Sequence, residues 1–443
     1  MTLIPRSFAH PIAALFLTLG ASLLSLGPAE AVDIQEVTSP GGIKAYLVED
    51  YTNPLIAVKF AFKGAGSTLD ADGKAGTGNL LSGLLDEGAG DIKSQEFQSK
   101  LDELGINLSF DATSDAFMGN FQTLVENEDE AFDLLTLALN QPRFDEEPVA
   151  RIRGQIATGI IADENDPHEK AGRAFREAVF PGHPYSRPSE GTVQSLNAVT
   201  VDDLRAYRQK GFAKDNLYIG VVGAIDSETL GRKLDQVFGP LADKADLPAV
   251  KDVDPVMGKT INVELDVPQT SLQFALPGVM RDDPDFFAAY LMNQIFGGGT
   301  FTSHLYQEVR EKRGLAYGIS SFLAAFDHSA MIGISTATRA DAAAESEKII
   351  RDEIKKMADQ GPTQEELDKA KAYVKGAYAV NNLDSSLSIA STLVGIQLDG
   401  LGIDYIDRRG GLIDAVTLDD VKRMAKQLFS ADPTVVTVGP AGS

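Results

Sequence analysis

Apolar and polar residues alternate along the first third of the chain in a way that is typical of strands. Residues 42–49 and 55–63 alternate or run apolar, with the turn signal Asn53-Pro54 between them, so an antiparallel hairpin is predicted. Strand character returns at residues 108–110 and 117–124. The first segment is therefore expected to form a sheet that is rich in antiparallel pairs.

Helical spacing separates these strands. Residues 94–104 carry apolar side chains three and four positions apart, which indicates one buried helical face. Residues 363–366 read Thr-Gln-Glu-Glu, a capping box that opens a long helix directly after Gly361-Pro362 has ended the preceding one. The mixture of the two periods predicts the α+β class.

A long-period repeat shows how the chain is organised. The pattern of residues 196–204 returns at residues 413–421, an offset of 217 positions. In each copy an amphipathic helix and a polar turn then lead into a β-branched strand that ends in glycine, at residues 217–223 and 434–439. A repeat of this length predicts two copies of one fold in tandem.

The repeat divides the chain into two homologous halves, at residues 32–240 and 258–443. Residues 241–257 between them alternate in charge, contain two prolines and lack helical periodicity, which is typical of a surface linker. We expect each half to be an α/β sandwich, with an antiparallel-rich sheet on one side and helices on the other.

The N-terminal 31 residues have the pattern of a secretory signal. Arg6 precedes an apolar run over residues 12–26, and Ala29-Glu30-Ala31 is a small-x-small cleavage site. The expected product is an exported, periplasmic protein, cleaved after Ala31 and without a stable membrane span. An uncleaved N-terminal anchor is the alternative.

Composition excludes several classes of function. The 443 residues contain no cysteine, so disulfides, thiolate metal sites and cysteine nucleophiles are ruled out. A net charge of −24 and the lack of basic clusters make nucleic acid an unexpected partner. The acidity suits cationic peptides, although the solubility of an exported protein explains it better. Neither a Gly-x-Ser-x-Gly elbow nor a phosphate-binding loop occurs.

The most informative segment is the glycine run Gly297-Gly298-Gly299, which continues through Ser303 to Arg310 and Gly314-Leu315-Ala316-Tyr317. It resembles the substrate-clamping segment of the insulinase/pitrilysin (inverzincin) family of zinc peptidases, in which an Arg and a Tyr approach the scissile peptide. The resemblance covers both halves. It implies that Arg310 and Tyr317 act in catalysis and that Gly297, Gly298 and Gly299 contact substrate.

The chemistry of this pair is positioning and stabilisation. A guanidinium and a phenol offer donors for a peptide carbonyl or for the oxyanion formed when water attacks it, but they cannot generate the nucleophile. Without the resemblance, Arg310 is explained by the basic end of a helix and Tyr317 by entry into a strand.

The metal motif of the family, His-x-x-Glu-His, occurs nowhere in the sequence. The resemblance places its three functional positions at Asn79, Ser82 and Gly83. Glycine has no side chain, a serine hydroxyl is a poor base, and a single amide oxygen suits hard cations rather than zinc. A further family ligand would fall within residues 150–162, which carry no carboxylate. No metal ligand is therefore assigned to this chain.

The four histidines beyond the signal, His168, His183, His304 and His328, do not restore a metal site, because no two have metal-binding spacing. His183 belongs to a Pro-Gly-His-Pro-Tyr segment and is expected in a structural loop. His304 follows the glycine run and is expected to be packed or solvated.

Some members of the family divide these parts between two chains, one with the zinc motif and one with the glycine segment and the Arg/Tyr pair. This sequence resembles the second kind, so we expect a non-zinc subunit that is inactive alone and pairs with a homologous zinc-bearing subunit on a peptide substrate. The strand at residues 56–64 is the predicted sheet edge for that peptide. The alternatives are an inactive scaffold or peptide-binding protein of the same fold and, less favoured, an independent peptidase with unconventional ligands.

Overall fold

The computed structural model of the protein describes residues 32–299 and 301–441. The predicted signal peptide lies outside the described residues. Within them, no helix combines the length and the apolarity that a bilayer span requires.

The first half contains sixteen helices and strands. They are β1 (Gln35–Thr38), β2 (Lys44–Glu49), β3 (Leu55–Lys63), α1 (Thr77–Ser82), β4 (Gly88–Ala89), β5 (Ile92–Lys93), α2 (Ser94–Glu103), β6 (Asn107–Ala112), β7 (Ala116–Leu124), α3 (Glu128–Asn140), α4 (Glu146–Asp163), α5 (Pro167–Val179), α6 (Val193–Ala198), α7 (Val201–Gly211), β8 (Leu217–Gly223) and α8 (Ser227–Phe238). Three 3₁₀ turns complete the half, at Ser67–Leu69, Val125–Asn127 and Pro184–Ser186.

The large sheet of this half has the order β1-β2-β8-β3-β7-β6. Strand β8 lies between β2 and β3, parallel to the first and antiparallel to the second. The predicted hairpin of residues 42–49 with residues 55–63 is therefore wrong. The turn signal is real, but the buried, valine-containing β8 inserts between the two strands, and local sequence does not reveal a neighbour that lies so far along the chain.

Strand β3 is an interior strand, because β7 and β8 pair with its two sides. The prediction that residues 56–64 form an open edge for a peptide is therefore wrong. The near-continuous apolar sequence of β3, buried over most of its length, is the pattern of a strand that is covered on both faces. The open edges of the large sheet are β1 and β6.

The described residues of the second half, 258–299 and 301–441, form eleven regular helices and strands. They are β9 (Thr260–Glu264), β10 (Gln269–Pro277), α9 (Phe286–Asn293), β11 (Ala316–Ala325), β12 (Ala330–Arg339), α10 (Ala343–Gln360), α11 (Gln364–Asn382), α12 (Ser386–Leu398), α13 (Tyr405–Ala415), α14 (Leu418–Phe429) and β13 (Thr434–Gly439). Two π-helical turns, Gln294–Gly298 and Tyr306–Glu311, and a 3₁₀ turn, Ala340–Ala342, join them. The predicted capping box at Thr363 and Glu366 is confirmed.

The second sheet has the order β11-β12-β10-β13-β9, so β11 and β9 are its edges. Adding 217 to the numbers of first-half elements places β3, α4, α5, α7 and β8 within a few residues of β10, α11, α12, α14 and β13. The two-half α+β architecture predicted from the sequence repeat is confirmed.

The two halves exchange one helix each. Helix α5 of the first half packs on β10 and β13 of the second, where Phe175 and Val179 contact Val436. Helix α12 of the second half packs on β3 and β8 of the first, where Val394 contacts Ala61. Each sheet is thus covered by its own helices on one face and by a helix of the other half on the opposite face, so the halves are less self-contained than the sequence suggests.

A polar cluster joins the halves near the linker. The Tyr185 hydroxyl donates to Asp115 Oδ1 at 2.7 Å and accepts the backbone N–H of His328 at 3.1 Å. Burial raises the pKa of Asp115, and burial together with the neighbouring Asp115 carboxylate raises that of Tyr185. The linker joins this cluster where Asp252 Oδ1 lies 3.0 Å from His328 Nδ1 and the N–H of Val253 donates to the His328 carbonyl.

Candidate functional site

The edge strand β11 contains an irregularity at the position of Tyr317. Ala316 pairs with Thr338 and Ile319 with Thr336, so β11 has one residue more than β12 over this stretch. An extra residue of this kind is a β-bulge, which turns side chains out of the regular alternation of a strand. Tyr317 consequently projects into solvent, with 90% of its surface exposed.

Two threonines of the neighbouring strand hold the bulge. The Thr338 hydroxyl donates to the Leu315 carbonyl at 2.6 Å, and the Thr336 hydroxyl donates to the Gly318 carbonyl at 2.8 Å. Both threonines are buried. Sequence patterns did not identify these threonines, although two threonines two positions apart after an apolar segment are a visible signal for side-chain bonds to an irregular neighbour.

Arg310 lies in the π-helical turn Tyr306–Glu311, seven residues before Tyr317. Its guanidinium carbon is 4.8 Å from the centre of the Tyr306 ring, and Nη1 is 3.5 Å from Glu311 Oε1. About a third of the side chain is exposed. Gly314, with φ of 62°, ends the turn and allows the chain to enter β11.

The other two basic residues of this segment have a different role. Lys312 and Arg313 both bind Glu308, at 2.5 and 2.6 Å, and Arg313 also donates to the Glu308 carbonyl. Hydrogen bonds from Arg313 and Lys312 lower the pKa of Glu308 to about 2, so the carboxylate is charged. Capping of the helix end therefore accounts for Lys312 and Arg313 but not for Arg310.

The glycine segment is closely packed, against β11 at Gly297 and against the preceding helical residues at Gly298 and Gly299. A Cβ on Gly297 would lie 2.6 Å from Ser321 Oγ, and a Cβ on Gly298 would lie 2.8 Å from Asn293 Nδ2. A Cβ on Gly299 would lie 2.8 Å from the Gln294 carbonyl oxygen. Gly297 and Gly299 are buried and only Gly298 is exposed, so close packing is one physical reason for the glycine run.

A buried hydrogen bond joins this segment to the edge strand. The Ser321 hydroxyl donates to Asn293 Oδ1 at 2.7 Å, and the Asn293 amide donates to the Ser321 carbonyl at 3.4 Å. The glycine turn and the strand that bears Tyr317 therefore form one connected surface. Sequence patterns alone did not identify this pair, because its two residues are 28 positions apart.

The three positions that correspond to the zinc motif lie on or next to α1, in the first half. Asn79 and Ser82 are in its two turns, and Gly83 is the residue at which the helix ends. The Ser82 hydroxyl donates to the Asn79 carbonyl at 2.8 Å, and a Cβ on Gly83 would lie 3.0 Å from Ile152 Cγ2 of α4. Backbone bonding and apolar packing occupy these positions, so their residues do not fit a zinc ion.

Helix α4 supplies no replacement ligand. Gln155 and Thr158 are exposed, and the Thr158 hydroxyl donates to the Gly154 carbonyl of its own helix. The acids Asp163 and Glu164 lie at the helix end. Across residues 32–299 and 301–441, no three His, Asp or Glu residues are grouped so that they could hold a metal ion.

His183, His304 and His168 each have different contacts. His183 Nδ1 accepts the Tyr185 N–H, and Nε2 lies 2.9 Å from the Lys251 carbonyl, while burial lowers its pKa. It caps the 3₁₀ turn of its loop, in agreement with the expected structural role. His304 Nε2 contacts Glu366 Oε1 at 2.7 Å, and His168 is exposed at the start of α5.

Sequence models of two domain families match most of the chain. A model described as insulinase (peptidase family M16) matches residues 51–193. A model described as peptidase M16 inactive domain matches residues 198–374.

Solved structures share the fold over nearly the whole chain. A peptidase M16 inactive domain from Pseudomonas fluorescens has a TM-score of 0.86 at 27% identity, over 93% of this chain and 98% of that one. A protease from Helicobacter pylori has a TM-score of 0.83 at 20% identity, over 92% and 99% of the two chains. The second likeness shows the fold alone.

Curated relatives are of similar length. An uncharacterized zinc protease of Streptomyces coelicolor is 27% identical over 92% of this chain and 90% of its own length. A non-peptidase homolog, YmxG, of Helicobacter pylori is 25% identical over 90% and 91%. The fold and the site thus define a duplicated peptidase fold whose metal-motif positions lack metal ligands. The chain belongs to the insulinase family of peptidases, M16.

Proposed function

We propose that this chain is the non-zinc subunit of an exported heterodimeric metallopeptidase that cleaves peptides. Arg310 and Tyr317 contribute to substrate and transition-state binding at a zinc site in the partner chain. One observation carries the proposal: Tyr317 is 90% exposed on a bulge at an open sheet edge, where neither burial nor packing within the chain accounts for it.

The side chains present explain why catalysis would be divided between this chain and a zinc-bearing partner. The guanidinium of Arg310 and the phenol of Tyr317 are donors that bind a carbonyl or an oxyanion. The positions of Asn79, Ser82 and Gly83 offer neither a metal ligand set nor a general base. The hydrolytic zinc is therefore expected in a homologous subunit that carries His-x-x-Glu-His, and this chain is expected to be inactive alone.

Strand β11 replaces β3 as the proposed site for the peptide in this subunit. It is an open edge of its sheet, and it carries Tyr317. An extended peptide can pair with the free backbone groups of such an edge with little demand on its sequence. The exposed residues Ser320 and Phe322 continue the same face beyond Tyr317. The predicted export signal supports a periplasmic location for this reaction.

The second candidate is a catalytically inactive scaffold or peptide-binding protein. The relative named a non-peptidase homolog favours it, whereas the Streptomyces relative is named a zinc protease. The two candidates differ in what accompanies the chain: the subunit needs a zinc-bearing homologue, whereas the scaffold needs none.

The test is to purify the tagged chain from its natural host and to identify what accompanies it. The subunit model expects a homologous chain with the His-x-x-Glu-His motif, one zinc per pair, and cleavage of an internally quenched peptide. In that complex, Arg310→Ala and Tyr317→Phe should each lower turnover on the order of 10²–10³-fold while the two chains stay associated. Arg232→Ala and Tyr51→Phe, at exposed positions in the first half of the chain, are the matched controls.

Three results would contradict the proposal. Unchanged turnover in both site variants would remove the role given to the pair. Tight zinc binding with peptide cleavage by the isolated chain would show an independent peptidase. A chain that associates only with itself and cleaves nothing would support the scaffold.

A further inference from the structure

The ring of Tyr306 is the main contact that orients Arg310. The two residues lie four positions apart in the π-helical turn Tyr306–Glu311, and the guanidinium carbon is 4.8 Å from the ring centre. Only 8% of Tyr306 is exposed. A cation that faces a ring shielded from water is held more strongly than one over an exposed ring. Helices widened to π geometry are frequent at functional sites.

Phe301 also packs against the Tyr306 ring. The ring centres are 5.2 Å apart at an angle of 77°, an edge-to-face contact, although Phe301 is itself 65% exposed. The Phe301 carbonyl accepts the side-chain amide of Gln307 at 2.5 Å. The loop that follows the glycine segment is thus tied to the helix turn and keeps the Tyr306 ring in place.

The acidic neighbours of Arg310 restrain its side chain less than the Tyr306 ring does. The Glu308 carboxylate is already paired with Lys312 and Arg313. Glu311 Oε1, at 3.5 Å from Arg310 Nη1, is about half exposed, which makes it a weak restraint. A long arginine side chain without a fixed partner loses rotamer entropy when it binds, and a ring that restricts it beforehand reduces that cost.

We infer that Tyr306 is a positioning residue, which presets the guanidinium of Arg310 for the peptide carbonyl or oxyanion. The inference rests on the proposed function of Arg310. The part of Tyr306 that matters is the ring face, so phenylalanine should replace it and an aliphatic side chain should not. Tyr306 itself touches no reacting atom in this scheme, since it is buried behind Arg310.

The test uses the native two-chain complex and an internally quenched peptide, with four variants of this chain: Tyr306→Phe, Tyr306→Leu, Arg310→Ala, and Tyr306→Leu combined with Arg310→Ala. Tyr306→Leu should lower kcat/KM by about three- to thirtyfold, and Tyr306→Phe by less than about twofold. In the Arg310→Ala background, Tyr306→Leu should have no further effect, because the ring acts only through the guanidinium.

The outcomes distinguish a failure of the positioning role of Tyr306 from a failure of the role proposed for Arg310. If Arg310→Ala leaves turnover unchanged, the role proposed for Arg310 fails and the inference with it. If Arg310→Ala is impaired but Tyr306→Leu is silent, or lowers kcat/KM equally in both backgrounds, the positioning role is overturned while the proposed function stands. A measurement on the isolated chain needs no partner: the NMR signal of the Arg310 Nε–H should shift in Tyr306→Leu and persist in Tyr306→Phe.

Discussion

Thr336 donates its side-chain hydroxyl to the backbone carbonyl of Gly318, with 2.8 Å between the two oxygens. The extra residue in β11 disrupts the regular ladder at this point, and the hydroxyl supplies a partner for that carbonyl. Tyr317 precedes Gly318 directly. The direction of an exposed tyrosine at the sheet edge is therefore set partly by a buried threonine in the neighbouring strand.

Replacing Thr336 by valine should loosen the bulge. The substitution keeps the shape of the side chain but leaves the Gly318 carbonyl without its hydroxyl donor. We expect the free energy of unfolding to fall by about 1–2 kcal/mol. If the proposed two-chain complex forms, its turnover should fall as well. Urea unfolding of the isolated chain measures the first effect. Thr336→Ser retains a hydroxyl and is the control; a valine variant as stable as the native chain would show that the bond does not hold the bulge.

The association of the two halves depends on a glycine in β8. A Cβ on Gly220 would lie 2.4 Å from the Ala390 carbonyl oxygen and 2.8 Å from Leu393 Cβ, both on the exchanged helix α12. Gly220→Ala should therefore displace α12 and lower the unfolding free energy by about 1–3 kcal/mol. Thermal or urea unfolding checks this. Gly154→Ala, where a Cβ meets nothing within 4 Å, is the control and should be neutral or stabilising. Equal stability of the two variants would contradict the close approach of α12 to β8.

The sequence predicted the class of the fold and its duplication because these features depend on hydrophobic period and on a repeat that is present in the residues themselves. It did not predict the position of β8 or the exchange of α5 and α12, because both depend on contacts between residues far apart in the chain. The placement of β3 as an edge failed for the same reason: strand neighbours are a property of tertiary structure.

The same distinction between local features and long-range contacts applies to the site. The glycine run, Arg310 and Tyr317 were visible as a local motif. The residues that surround this motif could not be recognised in the same way. Tyr306 has the sequence pattern of an ordinary helical residue, and the Asn293–Ser321 bond joins segments that are distant in the chain.

The carboxyl of Asp70 should make stability depend on pH. It is 5% exposed and accepts the N–H groups of Gly76 and Gly78 at 2.7 and 3.0 Å. Burial raises its pKa from 3.8 to about 6, against the opposing effect of these bonds. The folded state therefore holds the proton more tightly than the unfolded state, so this stabilisation is complete below about pH 4 and is lost as the pH rises through about 6.

Asp70→Asn removes this titration. The unfolding free energy of the native chain minus that of the variant should decrease by on the order of 2–3 kcal/mol between about pH 4 and about pH 7. Urea unfolding at a series of pH values gives the difference directly. Thr77→Ser, at the first residue of α1, changes no titrating group and should give a difference that is flat with pH. A flat difference for Asp70→Asn as well would disprove the assignment of a raised pKa to this carboxyl.

Restoring the family motif by substitution should fail to produce a zinc site. Asn79→His, Ser82→Glu and Gly83→His together supply the ligand types, but α1 ends at Ser82, and a side chain on Gly83 meets Ile152 at 3.0 Å from its first carbon. The imidazole at position 83 must push back the Ile152 side chain of α4, and that helix offers Gln155 and Thr158 instead of a carboxylate. We therefore expect the triple variant to be less stable than the native chain by about 1–3 kcal/mol.

Zinc affinity provides the second measurement for this variant, because a preformed site should bind zinc tightly at neutral pH. Equilibrium dialysis of the triple variant against zinc should show no stoichiometric tight binding. Adding Ile152→Ala makes room beside position 83 and should recover part of the lost stability, and further addition of Gln155→Glu provides the missing carboxylate. If the triple variant alone binds one zinc tightly and keeps its stability, the obstruction by Ile152 of α4 is disproved. In that case, loss of the motif residues alone, and not close packing of α1 against α4, explains why these positions do not fit zinc.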